Sequence, residues 1–310
     1  MAALPLLAAV GPAARAASTI DLPGACASGS ARTLHEASGP RGGGVDADNF
    51  VVRVSGLPIS PADFNAGHLH IASRGRAEDT RPAALAQAAT AASAALLTAL
   101  AGRQPAGCDP QALRAVAAPL QAGLSHGASY DFTWSEISIH TGTTRTGARH
   151  LSLHLDGGPA TGSGGDAHLT LSVDGAVSND QAGALLPHTA EMRLSLAAAS
   201  LPALLAMAPG SPPLPVRIDG ITARRDETSL SGHGDARVSP DPAQAQGTAT
   251  VDVSGYDALI AAAEGAGLQK ARTALFLAKL VAHRKGDALS WDLDWHDGLL
   301  SVNKVPLPLR

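Results

Sequence analysis

Alternation of apolar and polar side chains dominates the chain from Tyr130 onward and constrains its fold more than any other feature. A period of two places successive side chains on opposite faces of a sheet, so each alternating run predicts a strand. Turns containing Gly, Asp, Asn or Pro separate the runs, which is typical of an antiparallel sheet that is curved, sandwiched or barrel-like. The predicted strands are 130–140, 149–155, 167–174, 190–197, 216–223, 228–238, 247–254, 289–296 and 299–305.

The last two of these strands form the clearest local structure, a β-hairpin closed by Asp297-Gly298. This dipeptide is a strong signal for a two-residue type I′ turn. Closing the hairpin there sets His296 opposite Leu299, Trp295 opposite Leu300 and Leu293 opposite Val302. Pro306 and Pro308 then protect the edge against further pairing. The predicted structural hairpin comprises Trp291, Leu293, Trp295, Asp297, Gly298, Leu300 and Val302.

The region before Tyr130 predicts two helices and two short strands. The strands are 49–56 and 67–73, and residues 20–48, rich in Gly, Ser, Ala and Pro, read as a loop or loose lead-in broken at Gly42-Gly43-Gly44. One helix begins with Asp79 or Thr80 as N-cap, has Pro82 in its first turn and ends near Gly102. A second begins at Asp109-Pro110, is kinked at Pro119 and stops at Gly127.

Three further helices are predicted among the later strands, at 201–207, 256–264 and 268–283. The first two each follow a strand, at 190–199 and 247–254, and a β–β–α unit used twice would explain this, although chance similarity explains it too. The third has apolar residues near helical spacing with basic residues between them. Gly286-Asp287 ends it.

These elements together predict an α+β fold: a large curved antiparallel β-sheet with covering helices, preceded by a small helical N-terminal portion. Residues 1–17 form a signal or leader segment, 18–128 an N-terminal region with two helices, and 129–310 an antiparallel β-rich domain with β–β–α units. Apolar residues make up 45% of the chain but aromatic ones only 3%, so the core consists mainly of Ala, Leu and Val. If the later helices cover the sheet only partly, an apolar groove remains.

The N-terminus and the cysteines bear on where the chain works. The apolar run 1–10 is followed by Ala14-Arg15-Ala16, and small residues so placed favour cleavage by signal peptidase after Ala16 or Ala17. The basic residues that usually open a signal peptide are missing, so an Ala-rich leader of a cytosolic protein is the alternative. No later segment reaches 18 consecutive apolar residues. In an exported chain, Cys26 and Cys108 are expected to form a disulfide; two unrelated buried thiols are the alternative.

From about residue 114 to 310 the chain resembles a bacterial envelope family, the domain of unknown function numbered 2125. The resemblance rests on the Gly-Asp-Ala strand at 234–238, the passage GTATVDVSGYDALI and the closing hairpin LDWHDGLLSVNKVPLP. It implies a Gram-negative periplasmic or membrane-associated location and supplies no catalytic residues. More distantly, repeated strand–strand–helix units look like those of AsmA-like envelope proteins, whose curved sheets handle lipids; that step is fold-level analogy.

Signatures of known chemistry are missing from the sequence. It has no G-x-S-x-G, no S-x-x-K, no cysteine–histidine spacing typical of zinc sites and no phosphate-binding glycine loop, so it predicts no catalytic residue, cofactor or metal. The pairs His68/His70 and His150/His154 would each share a strand face and could hold a metal with a third ligand. Ordinary solvent-facing histidines are the favoured interpretation.

One strand carries the densest acidic group, which consists of Asp292, Asp294, His296 and Asp297. It could bind a divalent cation or serve in acid–base chemistry. The same residues are what the outward face of a half-buried strand should carry, and that interpretation is favoured because the opposite face is so cleanly apolar.

Three functional hypotheses remain, and nucleic-acid binding is not among them, because the net charge is −4 and no basic patch is interleaved with aromatics. The first is a periplasmic module, in the periplasm or at the periplasmic face of the membrane, that binds a lipid-like ligand or a membrane surface. The second is an envelope assembly or scaffold protein that acts through protein contacts. The third is an enzyme of unrecognised type.

Overall fold

The computed structural model describes residues 18–22, 26–39, 42–57, 62–75, 81–101, 109–158, 165–205, 211–241 and 243–307. Within these ranges the chain forms one 17-stranded sheet with five α-helices packed on it. The helices are α1 (Pro82–Ala101), α2 (Pro110–Ser125), α3 (Leu201–Leu205), α4 (Tyr256–Gly265) and α5 (Gln269–Leu280), with 3-10 turns at Gln181–Leu185 and Ala198–Ser200. The strands are β1 (Ser18–Asp21), β2 (Ala27–Ala31), β3 (Thr33–Gly39), β4 (Gly42–Val54), β5 (Ala62–Arg74), β6 (Ser129–Thr141), β7 (Thr144–Gly157), β8 (Asp166–Asp174), β9 (Val177–Ser178), β10 (Thr189–Ala197), β11 (Leu214–Arg225), β12 (Thr228–Val238), β13 (Gln246–Ser254), β14 (His283–Lys285), β15 (Ala288–His296), β16 (Leu299–Val302) and β17 (Val305–Leu307).

The sheet is an open, curved antiparallel meander in which each strand pairs with a near neighbour along the chain. The main order is β1-β2-β4-β5-β6-β7-β8-β10-β11-β12-β13-β15-β16-β17. Three short strands share an edge with another strand: β3 lies beside β2 on β4, β9 beside β8 on β7, and β14 beside β16 on β15. This architecture confirms the predicted fold class.

The described residues between 20 and 48 are not a loose lead-in, and for them this prediction was wrong. They form β1 to β3 and the first half of β4, and the three glycines read as a break pair with β3. The small side chains of this region explain why the sequence did not predict strands here. They also explain the packing, because they allow α1 to lie directly on β1, β2 and β4. A Cβ at Gly29 would lie only 2.6 Å from Thr90 Oγ1 of α1, and Ala31 beside it is 1% exposed. Small residues thus permit close helix packing here and give no alternating apolar signal.

Helix α1 matches the predicted helix and is the one described helix that is long and apolar enough to cross a membrane by length and composition. Half of its apolar window is buried against the rest of the chain, and Leu85, Ala89 and Leu97 are fully buried in the sheet–helix core. It is therefore packed as a core helix. The predicted N-cap residues Asp79 and Thr80 lie outside the described residues.

The remaining helices agree with the sequence except at their ends. In α2 the Asp109 carboxylate accepts a hydrogen bond from the Gln111 amide at 2.9 Å, as its predicted N-cap role requires, and the helix runs on through Pro119 to Ser125. Of the helix predicted at 201–207, residues 201–205 form α3, and residues 206 and 207 lie outside the described residues. The helix predicted at 268–283 ends at Leu280, because residues from His283 onward pair with β15 as β14.

The last predicted strand, 299–305, is also corrected. The chain turns again at Asn303-Lys304, where both residues have positive φ, 49° and 67°, and then forms β17 against β16. Pro306 lies within β17, opposite Ser301. Pro308, expected to share the edge-protecting role, lies outside the described residues.

The predicted boundary between residues 128 and 129 falls inside a continuous sheet. Strand β5 pairs with β6 from Ala62–Thr141 to Arg74–Ser129, with α1 and α2 inserted between the two strands in sequence. The leader predicted at 1–17 lies outside the described residues.

Candidate ligand-binding groove

One face of the sheet is apolar from β6 to β16. The strand register places inward side chains side by side, strand after strand. One such row crosses eight strands through Phe132, Leu153, Leu171, Met192, Ile221, Gly232, Val251 and Trp291. An apolar face of this extent has to be covered by helices or by a partner of the same character.

Two separate groups of helices cover this face, one at each end of the sheet. Helices α1, α2 and α3 pack over the N-terminal strands and form a first core that includes Phe50, Leu69, Trp134 and Leu201. Helices α4 and α5 cover the C-terminal strands and form a second, smaller core of Val253, Tyr256, Trp291 and Val302.

The strands between the two helical groups are covered incompletely. Their inward side chains are half-buried, although those on the first core are fully buried. We term these residues the central strip: Ala190, Met192, Leu194, Ile218, Ile221 and Ala223, on β10 and β11. Farther along, a Cβ at Gly234 would lie 2.2 Å from the Thr248 carbonyl oxygen, so only glycine allows β12 to approach β13 this closely. Beside the central strip, the inward face of the sheet at Gly234 is therefore formed by backbone without a side chain.

An apolar pocket opens where the C-terminal end of α1 meets the central strip. Its volume is about 270 Å³, near the lower end of the range for small-molecule sites. Leu100, 55% exposed, stands at its rim, and Met192 and Ile221 belong to both the pocket and the central strip. The other main lining residues are Leu96, Ile137, Ile139, Leu151, Leu171 and Val173. Pocket and central strip together form an apolar groove that suits an alkyl chain better than a polar ligand.

The hairpin predicted at the C-terminus has the expected register. Asp297 and Gly298 have φ of 51° and 73°, and His296–Leu299, Trp295–Leu300 and Leu293–Val302 are paired. Burial across its apolar face is uneven. Trp291 is only 6% exposed and Val302 7%, whereas Leu293, Trp295 and Leu300 are half-buried.

Trp291 is also held by polar and aromatic contacts. Its indole nitrogen donates to the Ala278 carbonyl of α5 at 2.9 Å, and its ring centroid lies 5.2 Å from that of Tyr256. Burial raises the pKa of Tyr256 to about 12, and its hydroxyl donates to the Leu275 carbonyl at 3.0 Å. Both aromatic residues thus fix α5 on the sheet.

The acidic residues of the hairpin lie on the opposite face and are exposed. The Asp294 carboxylate lies 3.1 Å from His296 Nε2, and Asp292 accepts a hydrogen bond from Thr250 at 3.1 Å. Asp297 occupies the turn. Across the described ranges, no three His, Cys, Asp or Glu side chains are grouped so that they could hold a metal ion.

The two histidine pairs each face polar partners on neighbouring strands. His70 Nδ1 lies 2.7 Å from Asp46, and His68 Nδ1 lies 3.1 Å from Asp48. Hydrogen bonds from Thr33 and His68 lower the pKa of Asp48. On the next strands, His154 lies 2.6 Å from Asp131, and His150 lies 3.1 Å from the Ser135 hydroxyl. These contacts cross-link the outer face of the sheet.

A polar chain of four residues, unanticipated from the sequence, lies on the outer face of β8, β10 and β11. His168 Nδ1 lies 2.8 Å from Ser195 Oγ, the Ser195 hydroxyl donates to Asp219, and Arg217 donates to Asp219 at 2.6 Å. Burial would raise the pKa of Asp219, but the hydrogen bonds from Ser195 and Arg217 outweigh burial and hold it below its usual range. A bulge in the β10–β11 register turns Asp219 toward the serine.

This hydrogen-bonded network of four residues differs from a nucleophilic serine site. In a hydrolytic triad the serine donates to a histidine that the acid orients. Here the Ser195 hydroxyl donates directly to the Asp219 carboxylate, and Ser195 is only 8% exposed. The adjoining cavity, about 470 Å³, is lined by charges of both signs, including Asp166, Asp235 and Arg237. The arrangement resembles strand-to-strand cross-linking more than catalysis. Arg217 and Asp219 are close in sequence, but only the strand register brings them together with Ser195 and His168.

Cys108, the predicted disulfide partner of Cys26, lies outside the described residues. Among the described residues no cysteine is a free thiol. The Cys26–Cys108 pairing stays a prediction.

Comparison with known proteins gives one match. The family DUF2125, described as an uncharacterized protein conserved in bacteria, matches residues 108–309. No curated protein and no solved structure matches the chain.

Proposed function

The chain belongs to DUF2125, a family of uncharacterised bacterial proteins, and we propose from its groove that it binds a lipid-like hydrophobic ligand as a non-enzymatic protein of the cell envelope. The observation that carries this proposal is the apolar groove itself. An apolar sheet face is covered by helices at both ends and only half-buried at the central strip, with a pocket at one end of the opening.

The energetics favour an apolar chain in this groove. Burying apolar surface contributes roughly 25 cal/mol per Å², and the half-buried Met192, Leu194 and Ile218 still expose part of theirs. Apart from Thr146 and Glu191, the pocket is lined by apolar residues and one glycine, so a polar ligand would lose its hydration and gain few partners. An acyl chain has no such penalty.

An envelope assembly or scaffold protein is the second candidate, since a sheet edge can add a partner's strand. Most edges of this sheet are poorly suited to that mode; the exception is β3, which has seven residues and pairs with β4 alone among the described strands. Strand β1 has four residues, and β17 has three, one of them Pro306. Short edges and proline are devices that prevent strand addition. The groove therefore supports ligand binding better than the edges support scaffolding.

The location and the wider relationship belong to the same proposal. We place the protein in the periplasm or on the periplasmic face of the membrane, where a lipid carrier would meet its ligand and a disulfide would persist. The likeness to AsmA-like proteins is a proposal too, supported by the curved sheet and its apolar face.

Cell fractionation with thiol labelling tests the location. The chain is expected in the periplasmic or membrane fraction, and labelling under denaturing, non-reducing conditions is expected to find no free thiol at Cys26 or Cys108. Recovery from the cytosol with both thiols labelled would contradict the prediction.

Ligand binding is tested by a matched pair of charge substitutions on β11. Ile221 faces the pocket and Thr222 faces the other side of the sheet, so Ile221→Glu places a carboxylate in the groove and Thr222→Glu places it in solvent. We expect Ile221→Glu to weaken binding of a fluorescent fatty acid about tenfold or more, because an apolar ligand cannot compensate a desolvated charge. Thr222→Glu should bind as the wild type does.

Native mass spectrometry of protein gently extracted from cells should also show a copurifying lipid-sized molecule with the wild type and less of it with Ile221→Glu. Circular dichroism establishes that both variants are folded. Equal probe binding by the two variants, or a wild type that binds no probe and carries no adduct, would refute the groove as the site.

A further inference from the structure

The outward face of α5 carries large apolar side chains that nothing in the described chain covers. Phe276, Leu277 and Leu280 are 55%, 57% and 67% exposed, among the most exposed large apolar residues described. They stand at i, i+1 and i+4, so they are neighbours on one helix face. We term these three residues the α5 patch. A contiguous apolar patch on a helix marks an interaction surface more often than isolated apolar residues do.

The orientation of α5 is fixed by its inner face. The carbonyl groups of Leu275 and Ala278 accept hydrogen bonds from Tyr256 and Trp291 at 3.0 and 2.9 Å. Asn303, in the turn before β17, donates to the Val281 carbonyl at the end of the helix. Because these contacts hold the middle and the C-terminal end of the helix, the α5 patch cannot turn inward without breaking them. Its exposure is a property of the folded protein.

Basic residues surround the α5 patch. Residues 265–286 contain five lysines and arginines and no acidic residue, in a chain whose net charge is −4. All four lysines of the chain lie between 270 and 304. Lys270 and Arg272 precede the patch along the helix, Lys279 lies within its span, and Arg284 and Lys285 follow it in β14.

Acidic neighbours engage three of these cations. Lys279 contacts Asp257, Lys285 lies 2.8 Å from Asp252, and Arg272 lies 3.5 Å from Glu264. Hydrogen bonds from Lys285 and Ser290 lower the pKa of Asp252, which favours its ionised form. Exposed ion pairs of this kind contribute little to stability. The side chains of these cations remain partly exposed, from 34% for Lys279 to 67% for Lys285.

We propose that the α5 patch and its basic rim form the surface by which the protein docks on an anionic phospholipid bilayer. An apolar helix face with lysine and arginine along its borders is the arrangement of helices that lie in the membrane interface: apolar side chains enter the acyl region and cations contact lipid phosphates. The charge complementarity selects this occupant, because Lys270 and Arg284 have no acidic partner among the described residues, and an apolar protein surface would leave both without a counter-charge.

This inference uses residues separate from those of the groove. The pocket lies at the end of α1 and the α5 patch on the other helical group, on the outer side of its helix. A bilayer contact on α5 would bring the groove's sheet to the membrane surface, where a lipid-like ligand resides. Each surface can nevertheless fail its test without the other.

Vesicle cosedimentation of the whole protein tests the proposal, with phosphatidylcholine vesicles and with mixed phosphatidylcholine–phosphatidylglycerol vesicles. The wild type is expected to bind the mixed vesicles and to be released by high salt. Phe276→Ser/Leu280→Ser should lower the partition coefficient about tenfold or more. Lys270→Glu/Arg284→Glu should lower binding to the mixed vesicles and leave binding to neutral vesicles unchanged.

Two controls keep the test specific. Val177→Ser removes an apolar side chain that is 59% exposed on β9, which pairs with β7 and not with the strands under α5, and this variant should bind vesicles as the wild type does. Ile221→Glu should also retain vesicle binding, whereas the α5 variants should retain the fatty-acid probe. These outcomes separate docking from ligand binding.

Four results would overturn the proposal: no vesicle binding by the wild type, equal binding to neutral and anionic vesicles, unimpaired binding by Phe276→Ser/Leu280→Ser, or a dimer in sedimentation equilibrium that this variant dissociates without any change in vesicle binding. The last would identify the α5 patch as a contact between two copies of the chain.

Discussion

Trp291→Ala is expected to lower the free energy of unfolding by about 3–5 kcal/mol, the range for truncating a buried tryptophan. Trp291 is the largest side chain of the second core and 6% exposed. Its loss leaves a cavity beside Tyr256 and removes the hydrogen bond to the Ala278 carbonyl that holds α5. Urea denaturation followed by circular dichroism measures the effect, read from the midpoint at constant slope.

Two substitutions on the same strand serve as controls. Trp295→Ala removes an identical side chain that is only half-buried, so it should cost less than Trp291→Ala. Asp294→Asn, on the exposed face, should change stability by less than about 0.5 kcal/mol and leave binding intact. A stable Trp291→Ala together with a folded but inactive Asp294→Asn would mean that the acidic face, and not the apolar one, is the important side of the hairpin.

Trp134→Ala is expected to destabilise the first core by a similar amount, about 3–5 kcal/mol. Trp134 is 1% exposed, stacks on Phe132 with ring centroids 6.0 Å apart and meets Phe64 edge-on at 6.2 Å. It sits between Leu69 of β5 and Leu151 of β7 in the register, so its removal affects three strands. Thermal unfolding by calorimetry would give the loss.

The matched control at this position is Trp134→Phe. Within the described chain the Trp134 indole nitrogen is buried without a hydrogen-bond partner, which costs free energy that phenylalanine does not incur. Trp134→Phe should therefore destabilise far less than Trp134→Ala. An equal loss from both would show that the indole nitrogen has an acceptor or that the aromatic packing tolerates no change of shape.

The sequence predicts most of this sheet because its strands obey a local rule. From β6 onward one face of the sheet is apolar and the other faces solvent, so each strand alternates apolar and polar side chains. The Asp297-Gly298 turn sets the register of the final hairpin. Turn chemistry is equally local, which explains why the hairpin was predictable residue by residue.

The failures occur where burial depends on a distant element. Strand β2 carries Gly, Ala and Ser because α1 packs on it, and nothing within 20–48 indicates a helix that begins at Pro82. The unequal burial of Trp291 and Trp295 depends in the same way on where α5 ends. The pattern of the hairpin alone gives the two tryptophans equal weight.

The sequence indicates that an apolar groove could exist, but it does not indicate where on the sheet the groove lies. Alternation indicates that β10 and β11 have an apolar face, but only the packing of α1 at one end and α4 and α5 at the other shows that this face stays half-buried. The α5 patch was obscured for a related reason: apolar residues near helical spacing at 268–283 indicate an amphipathic helix, but they do not indicate which of its apolar residues face the core. In the structure Leu275 faces the core, and Phe276 and Leu277 do not.

The meander order of the sheet has a consequence for how the chain acquires its structure. Because nearly every strand pairs with a close sequence neighbour, its contacts close small loops, and chains with such local contacts fold faster than β proteins whose partners are far apart. The longest exception is the step from β5 to β6, across α1 and α2, and a shorter one is the step from β13 to β15, across α4 and α5. We expect the longer step to be the slow one: hairpins on either side form early, and the two halves of the sheet join only when the inserted helices have docked.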